Sequence, residues 1–258
     1  MRWMVLGGAL LLGAIALAVG GRALTTAPSD AELQVAAAAD LRAALEEIAA
    51  LYQERTGQRV VLTFGSTGQL TQQIENGAPF DVFLAANVAY VERLRQQGLT
   101  LAGSERRYAR GRLALVASPH LGRTLERLED LADASIRHVA IANPDHAPYG
   151  LAARQALERA GLWAAVAPKL VYGENVQQAL QFVQQGSADA GLVALPLVQR
   201  TTLAWTPVDG GLHQPLDQAL AVLARAPRAD AAQAFAAFVG GPEGQRVLRS
   251  YGFEPPGE

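Results

Sequence analysis

The chain has 258 residues, half of them apolar, with 22 basic against 24 acidic side chains and a formal net charge of −2. This is a globular composition, long enough for one large core or two modest ones, and the near balance of charge argues against a nucleic-acid partner, which calls for a basic stripe. There is no cysteine, which excludes a disulfide framework, a thiolate nucleophile, a zinc–thiolate site and a lipidated cysteine.

Between Arg2 and Arg22 there is no charged residue, and the apolar run ends in Gly20-Gly21. A positive residue, an apolar stretch and small residues form the layout of a secretory signal, with cleavage expected near Gly21-Arg22-Ala23. The stretch is also long enough for an uncleaved membrane anchor. Residues 1–23 are therefore read as signal peptide or anchor, and 24–32 as a polar linker. Under either reading the folded part lies outside the inner membrane, in the periplasm.

From Leu33 onward short apolar runs alternate with amphipathic segments, the signature of an α/β protein. Strands are predicted over Leu33–Ala38, Arg59–Phe64, Phe80–Ala85, Arg112–Ser118, His138–Ala142, Lys169–Tyr172, Ala190–Val193 and Leu216–Arg225. Helical spacing of Leu41, Ala44, Leu45, Ile48, Leu51 and Tyr52 marks the first helix, ended by Gly57. Further helices are expected over Thr67–Asn76, Val88–Gln97, Leu125–Leu131, Gly150–Ala160, Val176–Gln185, Leu197–Thr201, Asp230–Val239 and Pro242–Tyr251. The strands beginning at Leu113 and near Ala219 are candidates to cross between two lobes. The domain expectation is 33–112 with 216–258 for one lobe and 113–215 for the other.

Four of the strand-to-helix turns are built from small residues: Ala36–Leu41, Phe64–Leu70, Asn143–Gly150 and Tyr172–Val176. Each presents unpaired backbone N–H groups at a helix N-terminus, where the macrodipole is positive. Such termini bind anions, and open α/β sheets bind ligands outside the carboxyl ends of their strands. Four converging turns could hold a small oxyanion without a cationic side chain.

The same stretches carry a family resemblance. Val35–Leu41, Phe64–Leu70, the run Gln73–Ala86 with Gly77-Ala78-Pro79-Phe80-Asp81-Val82-Phe83-Leu84 inside it, Asn143–Gly150, Phe238–Gln245 and Tyr251-Gly252-Phe253 resemble, in order, the periplasmic molybdate-binding proteins of molybdate ABC transporters. The resemblance spans essentially the whole chain after the leader. It implies an α/β, two-lobed periplasmic solute-binding fold (type II), each lobe a sheet flanked by helices. It implies tetrahedral molybdate or tungstate in the interlobe cleft, held by neutral donors, and delivery to an ABC permease by a monomer. No cofactor is implied, and no metal beyond the molybdenum of the ligand. Where the family places a serine, or a Thr-Asn pair, after the first strand, this chain has Ala39 and Asp40. The family's second serine falls on Thr67, with Ser66 beside it, and its two backbone donors fall on Tyr149 and Val176. A tyrosine that some relatives carry later is Ala194 here. The ligand-binding set is thus Asp40, Ser66, Thr67, Tyr149 and Val176.

Each position also has a plainer reading. Asp40 suits the N-cap of the first helix, with its backbone N–H facing the ligand and its side chain aside. As an ionised carboxylate it only accepts hydrogen bonds and repels a dianion, so a ligand-facing Asp40 would lower affinity or change the ion. Thr67 can cap the second helix, and Asn175 the helix at Val176. The Tyr149 ring can serve as lid packing while its amide contacts the ligand. His120, His138, His146 and His213 show no metal-ligand spacing. Arg106, Arg107, Arg110 and Arg112 read as a solvated basic face. No nucleophile elbow, phosphate loop or paired-carboxylate motif is present. A non-enzymatic binding protein is therefore expected. The rivals are a binding protein for sulfate or phosphate, an enzyme of anion or sugar-acid metabolism, against which the lack of a nucleophile–base pair argues, and a membrane-tethered oxyanion sensor.

Overall fold

The computed structural model describes residues 32–257. The leader and nearly all of the linker lie outside the described residues. Among those described, no helix is long and apolar enough to cross a membrane.

The strands form two five-stranded sheets. The first contains β1 (Leu33–Ala38), β2 (Val60–Gly65), β3 (Val82–Ala85), β4 (Arg106–Gly111) and β10 (Leu216–Val222), in the order β2-β1-β3-β10-β4. The second contains β5 (Leu113–Ala117), β6 (Val139–Ala142), β7 (Leu170–Gly173), β8 (Ala190–Ala194) and β9 (Trp205–Pro207), in the order β7-β6-β8-β5-β9. In each sheet a parallel core pairs with an antiparallel partner: β1 runs parallel to β2 and β3, while β10 is antiparallel to β3 and β4. Likewise β6 is parallel to β7 and β8, while β5 is antiparallel to β8 and β9. The chain passes between sheets at Arg112 and again between β9 and β10.

Helices cover both faces of the first sheet, which explains the nearly continuous apolar runs of its central strands β1 and β3. Leu33, Val35 and Ala37 of β1 pack with α1 (Arg42–Thr56), α8 (Ala229–Gly240) and α9 (Pro242–Ser250). The intervening Ala36 packs on the other face with α2 (Thr67–Glu75) and α3 (Val88–Gln96). The same alternation separates Val82 and Leu84 from Phe83 and Ala85, as the two-residue period of a strand requires. Tyr52 of α1 meets Phe235 of α8 edge-on at 5.1 Å. The second sheet is packed by α4 (Pro148–Arg159) and α6 (Val176–Gln184), with short α5 (Trp163–Val166) and α7 (Leu195–Val198).

Three expectations change. The basic cluster is not merely a solvated face: Arg106–Gly111 is an edge strand, with Tyr108 and Ala109 buried, Arg110 paired to Asp217 at 2.6 Å and Arg112 to Glu254 at 2.6 Å. Its arginines mask the strand pattern because an edge strand tolerates charge. The helix expected over Leu125–Leu131 is a 3₁₀ turn at Leu128–Ala132. The expected Leu197–Thr201 helix starts two residues earlier, with Pro196 inside its first turn, where proline loses no helical hydrogen bond.

Candidate functional site

The four small-residue turns meet between the two sheets. A cavity there is lined by Ala38, Ala39, Asp40, Gly65, Ser66, Thr67 and Ala86 from the first lobe, and by Ala147, Pro148, Tyr149, Asn175 and Val176 from the second. All five candidate residues are in this wall. Among the described residues, no lysine, arginine or histidine is. The lobes are nearly shut on it: the free space is about 10 Å³, room for roughly one water-sized sphere. Wider grooves of about 340 and 450 Å³ open on the outer surface of the second lobe, away from these turns.

Closure is held by direct contacts across the cleft. Ser66 Oγ lies 2.8 Å from His146 Nδ1, the Gly68 amide donates to the His146 carbonyl at 2.9 Å, and Gln69 Nε2 donates to Glu174 Oε2 at 2.6 Å. A Cβ on Gly68 would stand 2.7 Å from that carbonyl, so glycine is what lets α2 approach. Ala38, Ala39 and Ala86 of the first lobe pack into the second lobe's core beside Tyr149 and Val176.

Each candidate then has a specific place. Ser66 is the N-cap of α2, accepting from the Gln69 amide at 3.4 Å, and it also bridges to His146. Thr67 is therefore not the cap. It is buried, and its Oγ1 accepts the Ala86 amide at 3.1 Å, which leaves its proton to be donated. Asn175 caps α6, accepting from Gln177 and Gln178 at 3.0 and 3.1 Å. Val176 is the first residue of that helix, and Tyr149 is second in α4, whose start has no side-chain cap. Their amides belong to the orphan donors of a helix N-terminus.

Asp40 does not cap a helix. No side-chain cap bond occurs at the 3₁₀ turn Ala39–Leu41 or at α1. Its carboxyl is buried and turned toward β10, where Oδ2 accepts from Gln218 Nε2. Burial pushes its pKa from 3.8 up to about 6, opposed in part by the Gln218 amide on Oδ2 and by the neighbouring Tyr149 hydroxyl. Burial, reinforced by the Asp40 charge, also holds the phenols of Tyr108 and Tyr149 well above their usual range. The Tyr108 hydroxyl donates to Gln218 Oε1 at 2.6 Å, which fixes the amide with its N–H₂ toward Asp40. Gln218 is fully buried. Its one sequence signal was an amide, next to Asp217, ahead of the apolar run Ala219–Val222 of the strand Leu216–Val222. Tyr108 and His146 were likewise not assigned these contacts from sequence.

This fold and cleft define a class: two α/β lobes closing on a small polar cavity. The family model of bacterial extracellular solute-binding proteins matches residues 33–254, and the chain belongs to that family. Within it, the chain is 39% identical over 246 residues to the molybdate-binding protein ModA of Azotobacter vinelandii, covering 94% of this chain and 97% of that protein. It is 36% identical to the molybdate-binding protein ModA of Rhodobacter capsulatus, over 95% and 96% of the two chains. The solved structure of the Azotobacter vinelandii periplasmic molybdate-binding protein superposes with a TM-score of 0.83 at 32% identity, covering 88% of this chain and all of that one.

Proposed function

We propose that this protein captures molybdate, or the similar tungstate, outside the cytoplasm and delivers it to an ABC permease. The observation that carries the reading is a cavity walled by helix-terminal amides and the Thr67 hydroxyl, with no cationic side chain. Relatives with this chain's fold and length carry molybdate in their names. Stripping water from a dianion is costly, and several simultaneous N–H and O–H donors offset that cost. Size then selects: where the lobes close down on molybdate, the smaller sulfate would leave hydrogen bonds stretched. Closure around the ion favours one arrangement of the lobes, which a permease can read as a population shift.

The ligand contacts assigned are the amides of Asp40, Tyr149 and Val176 and the Thr67 hydroxyl, with Ser66 shared between ligand and His146. The lobes are taken as 33–112 with 216–258, and 113–215. The chain acts as a monomeric periplasmic binding protein without a cofactor. Ser66 and His146 have the spacing of a nucleophile and base, but Ser66 caps α2 and the pair spans the interlobe contact. No carboxylate among the described residues is bonded to that ring, so the pair reads as a latch rather than catalytic machinery.

One observation favours a second reading. A buried carboxylate in the wall can accept the proton of hydrogen phosphate, which a donor-only cavity cannot. Differential scanning fluorimetry against molybdate, tungstate, sulfate and phosphate separates the two, since a tight ligand raises the melting temperature by mass action. Stabilisation by molybdate and tungstate at micromolar concentration is expected. A shift with phosphate or sulfate alone would overturn the assignment.

A further inference from the structure

Asp40 is 2% exposed and stands in the wall of the cleft. Its two oxygens differ. Oδ2 faces the Gln218 amide, whose orientation is set by Tyr108. Oδ1 is buried with no hydrogen-bond partner among the described residues. The titratable groups facing the carboxyl are the phenols of Tyr108 from β4 and Tyr149 from α4, both kept neutral by burial. Gln218 from β10 is uncharged. Helices α6 and α7 also pack on this turn and contain no charged residue. Arg42, two residues on, is turned away over the Phe64 ring and toward Glu46. Among the described residues no cationic group compensates the carboxylate.

Building on the oxyanion-capture function, we propose that Asp40 takes up a proton when the cleft fills, so that each dianion enters together with one proton. A carboxylate and a dianion sharing one desolvated cavity without a cation repel each other, and a proton removes the conflict. The proton belongs on Oδ1, because Oδ2 already faces an N–H. Protonation turns Oδ1 from acceptor to donor, and the wall then offers donors throughout. In this nearly shut arrangement burial holds the Asp40 pKa at about 6. At pH 7.5 it is mostly ionised, and the proton has to come from solution with the ion. Binding is thereby tuned by external acidity.

Calorimetric titration of molybdate at pH 7.5, in two buffers of different ionisation enthalpy, counts the protons taken up. The wild-type protein is expected to absorb about one proton per ion, and its Kd to rise about tenfold per pH unit above roughly pH 6.5. Asp40→Asn keeps the shape and is expected to bind with no proton uptake and a flat profile. Asp40→Ser, checked for folding by circular dichroism, is expected to do the same. Wild-type binding without proton uptake overturns the proposal, as does equal uptake by Asp40→Asn. If neither wild type nor the variants bind molybdate or tungstate at any pH from 6 to 8, the capture function itself fails, and the proton coupling with it. Weak wild-type binding at pH 8 that Asp40→Asn restores supports the proposal.

Discussion

The Tyr149 hydroxyl of the second lobe sits 2.0 Å from where a Cβ on Gly111 would be, at the end of β4 in the first. Gly111 is the last residue of the strand that leads into the crossing at Arg112, and Gln218 Nε2 lies 3.4 Å from the same hydroxyl. The absence of one methyl group therefore admits the tyrosine that closes this side of the cleft. Any side chain on Gly111 and the ring of Tyr149 compete for one space.

Gly111→Ala is accordingly expected to fold yet resist closure. Overpacking of this kind costs about 1–3 kcal/mol, which predicts a loss of molybdate affinity of roughly ten- to a hundredfold. Isothermal titration measures the loss, and small-angle scattering should show the variant remaining open when the ion is added. Affinity equal to wild type would show that Tyr149 can be displaced at no cost.

Thr67 is expected to be the main hydroxyl donor, since its oxygen is already engaged by the Ala86 amide. Thr67→Val keeps the shape and removes the hydroxyl, so the Ala86 amide loses its acceptor along with the ligand's donor. A hydrogen bond to a charged group contributes about 1.5–3 kcal/mol, so affinity should fall at least tenfold, while Thr67→Ser retains most of it. Equal binding by the valine and threonine forms would remove Thr67 from the ligand set.

Tyr108→Phe tests the support behind Asp40. It strips the donor from Gln218 Oε1 in a fully buried site. An unsatisfied buried acceptor costs about 1–3 kcal/mol, and chemical denaturation should report a loss of that size. The amide is also freed to rotate, so the proton count of ion binding should change along with stability.

The empty protein should carry a pH signature from Asp40. Its carboxyl is at 3.8 before folding and about 6 in the folded chain, so the folded state binds more protons between those values. Stability from this group is full below pH 3.8 and is lost as pH rises through 6, a change of about 3 kcal/mol. Asp40→Asn is therefore expected to be more stable than the wild type at pH 8, with the advantage shrinking toward pH 4.5. Urea melts at the two pH values measure the difference; an advantage of the same size at both would contradict a buried, titrating carboxyl.

What could be read from the chain alone was local. The turns at Phe64–Leu70 and Tyr172–Val176 are legible because a helix start is written within a few residues, although the cap of the first is Ser66, accepting from the Gln69 amide, and not Thr67; Asn175 caps the second by accepting from Gln177 and Gln178. Buried strands such as β1 and β3 are legible because both faces are covered and nearly every position is apolar, Gln34 near the start of β1 excepted. Strand β4 was hidden, since Arg106, Arg107 and Arg110 break the pattern and only pairing with β10 makes it a strand. The role of Asp40 was hidden for the same reason. Its partner Gln218 is 178 positions away, and Ser66 and His146 are 80 apart. Amide donors follow from backbone geometry, which neighbours dictate. Whether a carboxyl caps a helix, faces a ligand or holds a proton depends on which distant groups the closed lobes bring to it, and only the tertiary structure decides that.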